Sequence, residues 1–287
     1  MDIDFLDIFK EYSDEKDSQI VILPVPYDGT STWIKGSDKG PTAILEASAN
    51  LELYDIETDS EVYKKGIHTA TVVSENKSPE SMVAAVHERA RYFLNSGKFL
   101  VTIGGEHSVS IGSIKAFADH YSDLTVLQLD AHSDLRPEYL GSKNNHACVM
   151  ARIKEVAAIV QVGIRSMDIS EKKEIDPERI FFAHEIKNRS DWQEPVLDLL
   201  SKNVYITIDL DVFDPAIMPS VGTPEPDGLQ YSDVLELVKK VNERTNIVGF
   251  DVVELCPNDF NKAPDFMVAK LIYQILSFRF QTEIDHS

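Results

Sequence analysis

The 287-residue chain has few cysteines and lacks long apolar stretches. Its two cysteines, Cys148 and Cys256, are too few for a disulfide framework, and such low usage is typical of a reducing compartment. No apolar run approaches the ~18 residues that a membrane-spanning helix needs. The first residues include Asp2, Asp4 and Asp7 and lack the basic-then-apolar order of a signal peptide. These absences predict a cytoplasmic protein that does not enter a membrane.

Basic residues are also scarce, since 28 lysines and arginines stand against 48 aspartates and glutamates and give a net charge of -20. A charge of this sign repels phosphate backbones, so nucleic acid is not an expected partner. The same charge attracts cationic small molecules and metal ions. Repeats of solenoid period are absent as well. A chain of this length and ordinary composition can bury a proper core.

Short β-branched runs alternate with helical stretches along the chain. Most of the runs are continuously apolar, as expected for strands that are covered on both faces of a parallel sheet. Helices are predicted from the Ser78-Pro79 cap to Gly97, over 231–244 and over 266–280. The predicted strands span 20–25, 67–73, 99–103, 124–129, 158–162, 180–182, 204–208 and 247–253. We predict one α/β domain over residues 1–287, with three αβα layers and a mostly parallel sheet of about eight strands.

Three of the predicted strands are followed by residues of the types that bind metals. Gly-Gly-Glu-His-Ser at 104–108 follows one strand, Asp-Ala-His-Ser-Asp at 130–134 the next, and Asp-Leu-Asp at 209–211 a third. Ligands of open parallel sheets bind beyond the carboxyl ends of the strands. At strand period, side chains two residues apart point the same way. The side chains expected to converge are His107, Asp130, His132, Asp134, Asp209 and Asp211.

Four carboxylates and two imidazoles are too much negative charge for one small pocket without cations. Such a set suits two divalent ions roughly 3.5–4 Å apart, and its oxygen-rich composition favours Mn²⁺ over zinc. Each motif alone has another interpretation, because Asx caps and tight turns use the same residues. Their combination at three strand ends favours the metal centre.

These motifs resemble those of the ureohydrolases, the arginase and agmatinase superfamily, and look closest to those of bacterial agmatinases. The three metal signatures occur in the family's order. The segment 221–229 is similar to the family's Gly-Thr-Pro-Glu loop, and 29–44 to its N-terminal pattern. The resemblance covers about residue 20 to about residue 255.

The resemblance implies an arginase-like fold and hydrolysis of the guanidinium group of agmatine to urea and putrescine, a step of polyamine biosynthesis. It implies two Mn²⁺ ions per subunit, with a hydroxide that bridges the metals as the nucleophile. One ion would be bound by His107 and Asp134 and the other by His132 and Asp211, with Asp130 and Asp209 bridging both. It further implies a homo-oligomer, a trimer or a hexamer. The expected binding partner is a small cationic guanidine, the substrate.

The resemblance also implies the roles of the residues around the metals. Glu254 would anchor the guanidinium, and Asp134 would take the proton of the hydroxide and give it to the leaving amine. His146 would be the proton shuttle to solvent, and Thr223 would contact the substrate together with Glu254 and His146. The chain has His146-Ala147 where the family often has His-Gly, so a solvated loop histidine is the alternative interpretation.

The substrate itself is less tightly predicted. The loop 135–145 does not look like that of arginases, and Glu138, Glu225 or Asp227 could answer the second cation of agmatine. Aminopropylagmatine and arginine are alternatives with the same chemistry. Guanidinobutyrate or formiminoglutamate would need a basic group such as Arg136 or Lys143.

Two readings outside this chemistry also stay open. One is a zinc deacetylase-like amidohydrolase, against which the paired carboxylates argue, and the other is a non-catalytic metal-binding protein. Glu106 and Cys148 are interpreted as structural. The remaining histidines, which stand outside the motifs, are His68, His87, His120, His184 and His286.

Overall fold

The computed structural model describes residues 3–187 and 189–281, so His286, one of the histidines outside the motifs, lies outside the described residues. The strands are β1 (Ile20–Val25), β2 (Ile67–Thr69), β3 (Phe99–Gly104), β4 (Leu124–Leu129), β5 (Ala158–Ile164), β6 (Ile180–Phe182), β7 (Asn203–Asp209) and β8 (Asn246–Val253). The helices are α1 (Lys10–Ser13), α2 (Gly40–Ser48), α3 (Pro79–Asn95), α4 (Val109–His120), α5 (Val149–Ile153), α6 (Ala183–Ile186), α7 (Gln193–Asp198), α8 (Tyr231–Arg244) and α9 (Ala263–Phe280).

The eight strands form one sheet in the order β2-β1-β3-β8-β7-β4-β5-β6. All seven pairings between neighbouring strands are parallel. The predicted α/β architecture is therefore confirmed, with a sheet that is parallel throughout. Because the chain visits the strands out of order, β3, β8, β7 and β4 lie side by side at the centre. Their carboxyl ends meet at one edge of the sheet, which is where the predicted site residues follow them.

The sheet is covered on both faces, as the continuously apolar strands require. Successive residues of β1 show this, because Ile20 and Ile22 pack in a cluster with α2, α8 and α9. Val21, Leu23 and Val25 point to the other face and pack with α3, α4 and α5. The result is the predicted arrangement of helix, sheet and helix layers.

The edge strand β2 is shorter than predicted, since it ends at Thr69 and not at residue 73. The cause lies in its neighbour β1, whose Ile20 N–H donates towards this edge, to the Gly66 carbonyl. Every second N–H group of β1 faces this edge, so the next ones after Ile20 belong to Ile22 and residue 24. Residue 24 is proline, which has no N–H to donate, so the regular ladder stops there.

The helix boundaries follow local signals. Ser78 caps α3 through a capping box with Ser81, and Gly97, with φ of +71°, follows its end, as the sequence predicts. Helix α9 starts at Ala263, three residues earlier than predicted, because Pro264 fits the first turn of a helix. Within the described ranges, every helix is too short or too polar to cross a bilayer.

Candidate active site

The site lies at the carboxyl edge of the four central strands. Residues that follow β3, β4, β7 and β8 contribute to it, and the close approach of β3 to the chain after β1 shapes it. At Gly105, an added Cβ would stand 1.9 Å from the Tyr27 carbonyl oxygen, so only glycine fits. Glu106 N–H then donates to the same carbonyl, at 2.8 Å. This contact fixes where Glu106 and His107 leave the strand.

One cluster of potential metal ligands surrounds the buried ring of His107. Its Nδ1 lies 3.1 Å from Asp130 Oδ2, 3.0 Å from Asp134 Oδ2 and 3.3 Å from Asp209 Oδ2. Ligand atoms of His107, Asp130 and Asp134 all lie within 4.8 Å of one another, which is close enough to hold one ion.

A second cluster adjoins the first and shares Asp130 with it. His132 Nδ1 lies 2.8 Å from Asp211 Oδ2 and 3.8 Å from Asp130 Oδ1. Ligand atoms of Asp130, His132 and Asp211 also lie within 4.8 Å of one another. Asp130 thus stands between two potential metal positions. All six side chains expected to converge are brought together, with Asp209 placed against the first cluster.

The buried carboxylates of the two clusters repel one another, and this repulsion changes their pKa values. Burial, together with the charges of Asp211 and Asp134, raises the pKa of Asp130 to about 7. Burial and the same kind of repulsion raise the pKa of Asp209 well above its ordinary value. Burial acts on Asp211 in the same direction, but the adjacent His132 outweighs it and lowers the pKa to about 2. Negative charge therefore exceeds what the two imidazoles offset.

The hydrogen bonds of His107 fit a metal ligand. Its Nε2 lies 3.0 Å from the hydroxyl of Thr207, which itself donates to the buried carboxylate of Asp251, at 2.7 Å. The Thr207 hydroxyl must therefore accept from Nε2–H, which leaves Nδ1 as the ligating nitrogen. Nδ1 is buried among three carboxylate oxygens and has no well-directed hydrogen bond. A lone pair that faces three anionic oxygens calls for a cation between them, so the donor set fits divalent metal ions.

Two acidic residues of the site have strained backbones. Glu254 has φ of +69° and Asp134 has φ of +52°, backbone conformations that residues other than glycine rarely adopt. Glu254 follows β8, and its Oε1 accepts from the His107 backbone N–H, at 2.7 Å. Burial, followed by the charge of Glu106, raises the pKa of Glu254 well above its ordinary value. Strain of this kind persists where the surrounding structure holds a functional group in place.

His146 lines the site and begins a short 3-10 helix, His146–Cys148. Its ring packs edge-on against Tyr139, with centroids 6.1 Å apart, and burial lowers its pKa. Its Nδ1 lies 3.0 Å from the hydroxyl of Thr30. The ring therefore has fixed partners and is not a freely solvated loop histidine. Cys148 is buried, which raises the pKa of its thiol to about 11.

A cavity of about 290 Å³ opens over the two clusters. That volume is at the small end of ligand sites and suits a slender molecule. His107, His132, Asp134, Arg136, His146, Thr223 and Glu254 line it together with residues that the sequence analysis did not single out, namely Thr32, Tyr139, Met167, Asp168 and Glu171. Asp168 and Glu171 follow β5, the neighbour of β4, so applying the strand-end rule to β5 would have found them.

The acidic residues expected to face the far end of the substrate lie elsewhere. Glu138 is exposed, and Asp227 is exposed and paired with Lys187, so neither lines the cavity. The carboxylate of Glu225 lies 3.7 Å from His132 Nε2, beside the second cluster. Those expectations fail because loops 135–145 and 221–229 turn these side chains outward or towards the ligands. Asp168, whose side chain is 43% exposed, is an acidic residue that lines the cavity outside the two clusters.

Arg165 is a further residue that the sequence analysis missed. It follows β5, where a single arginine gives no motif. Its guanidinium joins β5 to the loops that carry Asp211 and Glu225. The carbonyl oxygens that accept its hydrogen bonds belong to Gly163, Asp211, Val212, Phe213, Glu225 and Pro226.

The sequence matches the model of the arginase family over residues 18–277. The N(1)-aminopropylagmatine ureohydrolase of Synechocystis sp. is 37% identical over 276 residues, which cover 91% of this chain and 89% of that protein. The agmatinase of Pyrococcus horikoshii is 32% identical over 266 residues, covering 92% and 93%. The solved structure of the agmatine ureohydrolase of Thermoplasma volcanium has a TM-score of 0.87 at 31% identity, covering 97% and 96%.

The chain therefore belongs to the arginase family. It is a ureohydrolase, an enzyme that hydrolyses a C–N bond of guanidino compounds. The resemblance drawn from the three motifs is confirmed, and so is the expectation of an enzyme.

The contacts of Arg165 give a prediction about metal binding. Arg165→Lys is expected to weaken divalent-metal binding about tenfold, because a lysine ammonium has three donors on one atom and cannot span carbonyls on both loops. Titration calorimetry of the metal-stripped protein measures the affinity. Arg244→Lys is the matched control, since Arg244 pairs with exposed acids far from the site. Unchanged affinity in Arg165→Lys would show that the guanidinium does not support the ligands.

Proposed function

We propose that this ureohydrolase catalyses the manganese-dependent hydrolysis of agmatine to urea and putrescine. The observation that carries the proposal is the pair of ligand clusters that share Asp130, beside a cavity with an acidic side chain on its wall. The clusters account for the hydrolytic chemistry, and the acidic wall accounts for a substrate with a second cation.

Two Mn²⁺ ions would be held by the six side chains of the clusters. His107 and Asp134 would bind one, His132 and Asp211 the other, and Asp130 and Asp209 both. Oxygen-rich ligands with a minority of imidazole suit Mn²⁺. When bound, these cations would lower the pKa of a coordinated water and so supply a hydroxide nucleophile near neutral pH.

The protein groups then bind and orient the guanidinium and move its protons. Glu254 has one carboxylate oxygen bound by the His107 N–H, so its other oxygen is free to accept from the guanidinium. The fixed, strained position of Glu254 orients the planar group towards the ligand clusters. Asp134 accepts the proton of the attacking hydroxide and donates it to the leaving amine. His146, which lines the cavity, passes to solvent the other proton of the coordinated water, the one released when the hydroxide forms.

The cavity wall outside the two clusters favours a cationic tail over an anionic one. Asp168 is held by hydrogen bonds from Ser170, which lower its pKa and keep it ionised. Arg136 would answer a carboxylate tail, but its guanidinium stacks on Tyr139, 4.2 Å from the ring centroid. It also faces Glu171 at 3.7 Å and Asp168 at 4.0 Å. The charge of Arg136 is thus already compensated, whereas Lys143 is exposed and outside the cavity.

A second candidate substrate is N1-aminopropylagmatine, which carries the same guanidinium on a longer cationic tail. The observation in its favour is the 37% identity to the Synechocystis enzyme, against 32% to the Pyrococcus agmatinase. Either substrate would place the enzyme in polyamine biosynthesis. We further propose that the enzyme is cytoplasmic, consistent with two free cysteines and no disulfide between them. We also propose that it is a homo-oligomer, a trimer or a hexamer.

Urea release tests the proposed function. Metal-stripped protein is reloaded with Mn²⁺ or with Zn²⁺ and offered agmatine, N1-aminopropylagmatine, arginine and 4-guanidinobutyrate in parallel. We expect urea from agmatine in the Mn²⁺ form, with kcat/KM at least about tenfold above that for arginine and guanidinobutyrate, because their carboxylates face Asp168. A higher value for N1-aminopropylagmatine would move the substrate and keep the mechanism. No urea from any of them, with metal bound, would contradict the proposal.

The role of Asp168 gives a separate prediction. Asp168→Asn is expected to raise KM for agmatine about tenfold and to change kcat less than about threefold, because it removes a charge that contacts only the non-reacting end. Steady-state urea kinetics measure both constants. Asp227→Asn is the matched control, since this exposed aspartate lies outside the cavity and asparagine tolerates its positive φ. An unchanged KM in Asp168→Asn would contradict distal recognition by this residue.

A further inference from the structure

Glu106 and Thr30 connect to His146 in a way that the metal clusters do not explain. Glu106 is fully buried, and its Oε2 accepts from the Thr30 backbone N–H, at 2.8 Å, and from the Thr30 hydroxyl. Its Oε1 accepts from the Ser108 hydroxyl. The Thr30 oxygen in turn lies 3.0 Å from His146 Nδ1 and 3.0 Å from the His146 backbone nitrogen. Oε2 and Nδ1 are 3.9 Å apart, so the hydroxyl mediates their contact.

The protons of this chain can be assigned by counting. A hydroxyl has one hydrogen and two lone pairs. The His146 backbone N–H donates to Thr30 Oγ1 and occupies one lone pair. With Glu106 ionised, a hydroxyl hydrogen that pointed to Nδ1 would leave the carboxylate and the Thr30 oxygen facing each other with no proton between them. The hydrogen therefore goes to Glu106, and the second lone pair of Thr30 accepts from His146 Nδ1–H.

This assignment determines the chemistry of the other ring nitrogen. A neutral imidazole carries one N–H, so a proton on Nδ1 leaves Nε2 with a lone pair. His146 lines the cavity, and Nε2 is the nitrogen that is left for the substrate and the water near it. A group that shuttles protons needs that nitrogen free to accept and then to donate.

We propose that Thr30, held by the buried carboxylate of Glu106, is a positioning residue that keeps His146 in its Nδ1–H tautomer with Nε2 towards the cavity. The inference rests on the proposed function only in the role that it gives to His146. Thr30 touches neither ligand cluster; it acts through the imidazole.

The surrounding fold is built to make this contact. Thr30 follows β1 and Glu106 follows β3, and these strands are neighbours in the sheet. The backbone hydrogen bond from Glu106 N–H to the Tyr27 carbonyl, and the glycine required at 105, bring the two loops together through main-chain contacts alone. The carboxylate is thereby set under the Thr30 hydroxyl, and Asn145 caps the short helix that begins at His146.

Kinetics of Thr30 variants test the inference. Thr30→Val keeps the shape and removes the hydroxyl, so kcat for urea release is expected to fall about tenfold or more, with KM changed less than about threefold. Thr30→Ser restores the hydroxyl and is expected to return kcat to within about threefold of the native value. A loss that serine does not rescue, or a loss in KM alone, would overturn the proposal.

Two controls separate positioning from damage to the fold. Thr125→Val removes a buried threonine hydroxyl that bonds to Ser201 at the opposite end of the sheet, and it is expected to leave kcat unchanged. Bound Mn²⁺ is measured in each variant and is expected to match the native protein. Loss of metal from Thr30→Val would instead assign the threonine to the support of His107, and would overturn the tautomer proposal.

Neutron diffraction gives a readout that does not require activity. Deuterium-exchanged crystals of the metal-loaded enzyme at about pH 9, where histidine is neutral, are expected to show deuterium on Nδ1 of His146 and none on Nε2. A bare Nδ1 that accepts from the Thr30 hydroxyl would contradict the proposal, whatever the substrate. Absence of urea release in the native enzyme with Nδ1 deuterated would sink the proposed function and leave the tautomer assignment standing.

Discussion

The repulsion between buried carboxylates is the constraint on which the site depends. Asp130, Asp134, Asp209 and Asp211 are all nearly inaccessible to water, and the pKa values of Asp130 and Asp209 are raised by burial and by their neighbours. Isolated buried charges are costly unless they are paired or bind metals. Two imidazoles lessen the excess without removing it. Divalent cations shared through Asp130 would remove it, and the same cations would supply the hydrolytic chemistry.

The parallel sheet is what brings these charges together. Four neighbouring strands, β3, β8, β7 and β4, end at one edge, so groups far apart in sequence lie within hydrogen-bond distance of one another. The helices that cover both faces bury the strands and hold their ends rigidly. Hydrogen bonds behind the ligands complete the arrangement, as when Thr207 and Asp251 orient His107, and Arg165 ties the loop of Asp211 to that of Glu225.

The regular parts of this arrangement could be predicted from the sequence. Continuous apolar runs located all eight strands, and the two-residue period placed Asp130, His132 and Asp134 on one side of a strand end. Residues whose positions depend on irregular loops could not be found in this way. Glu138 and Asp227, for example, are turned away from the cavity although they lie on loops expected to frame it. The contact of Thr30 with His146 joins loops 116 residues apart, and no local pattern encodes it. The shortened β2 depends on a proline in its partner strand.

Anomalous diffraction from crystals of the Mn²⁺-loaded enzyme tests the central claim most directly. The account predicts two manganese peaks roughly 3.5–4 Å apart, one bound by Nδ1 of His107 and the other by Nδ1 of His132, with the carboxylate of Asp130 between them. A single peak at full occupancy, or ions bound away from Asp130, would contradict the claim that two shared cations balance these buried carboxylates.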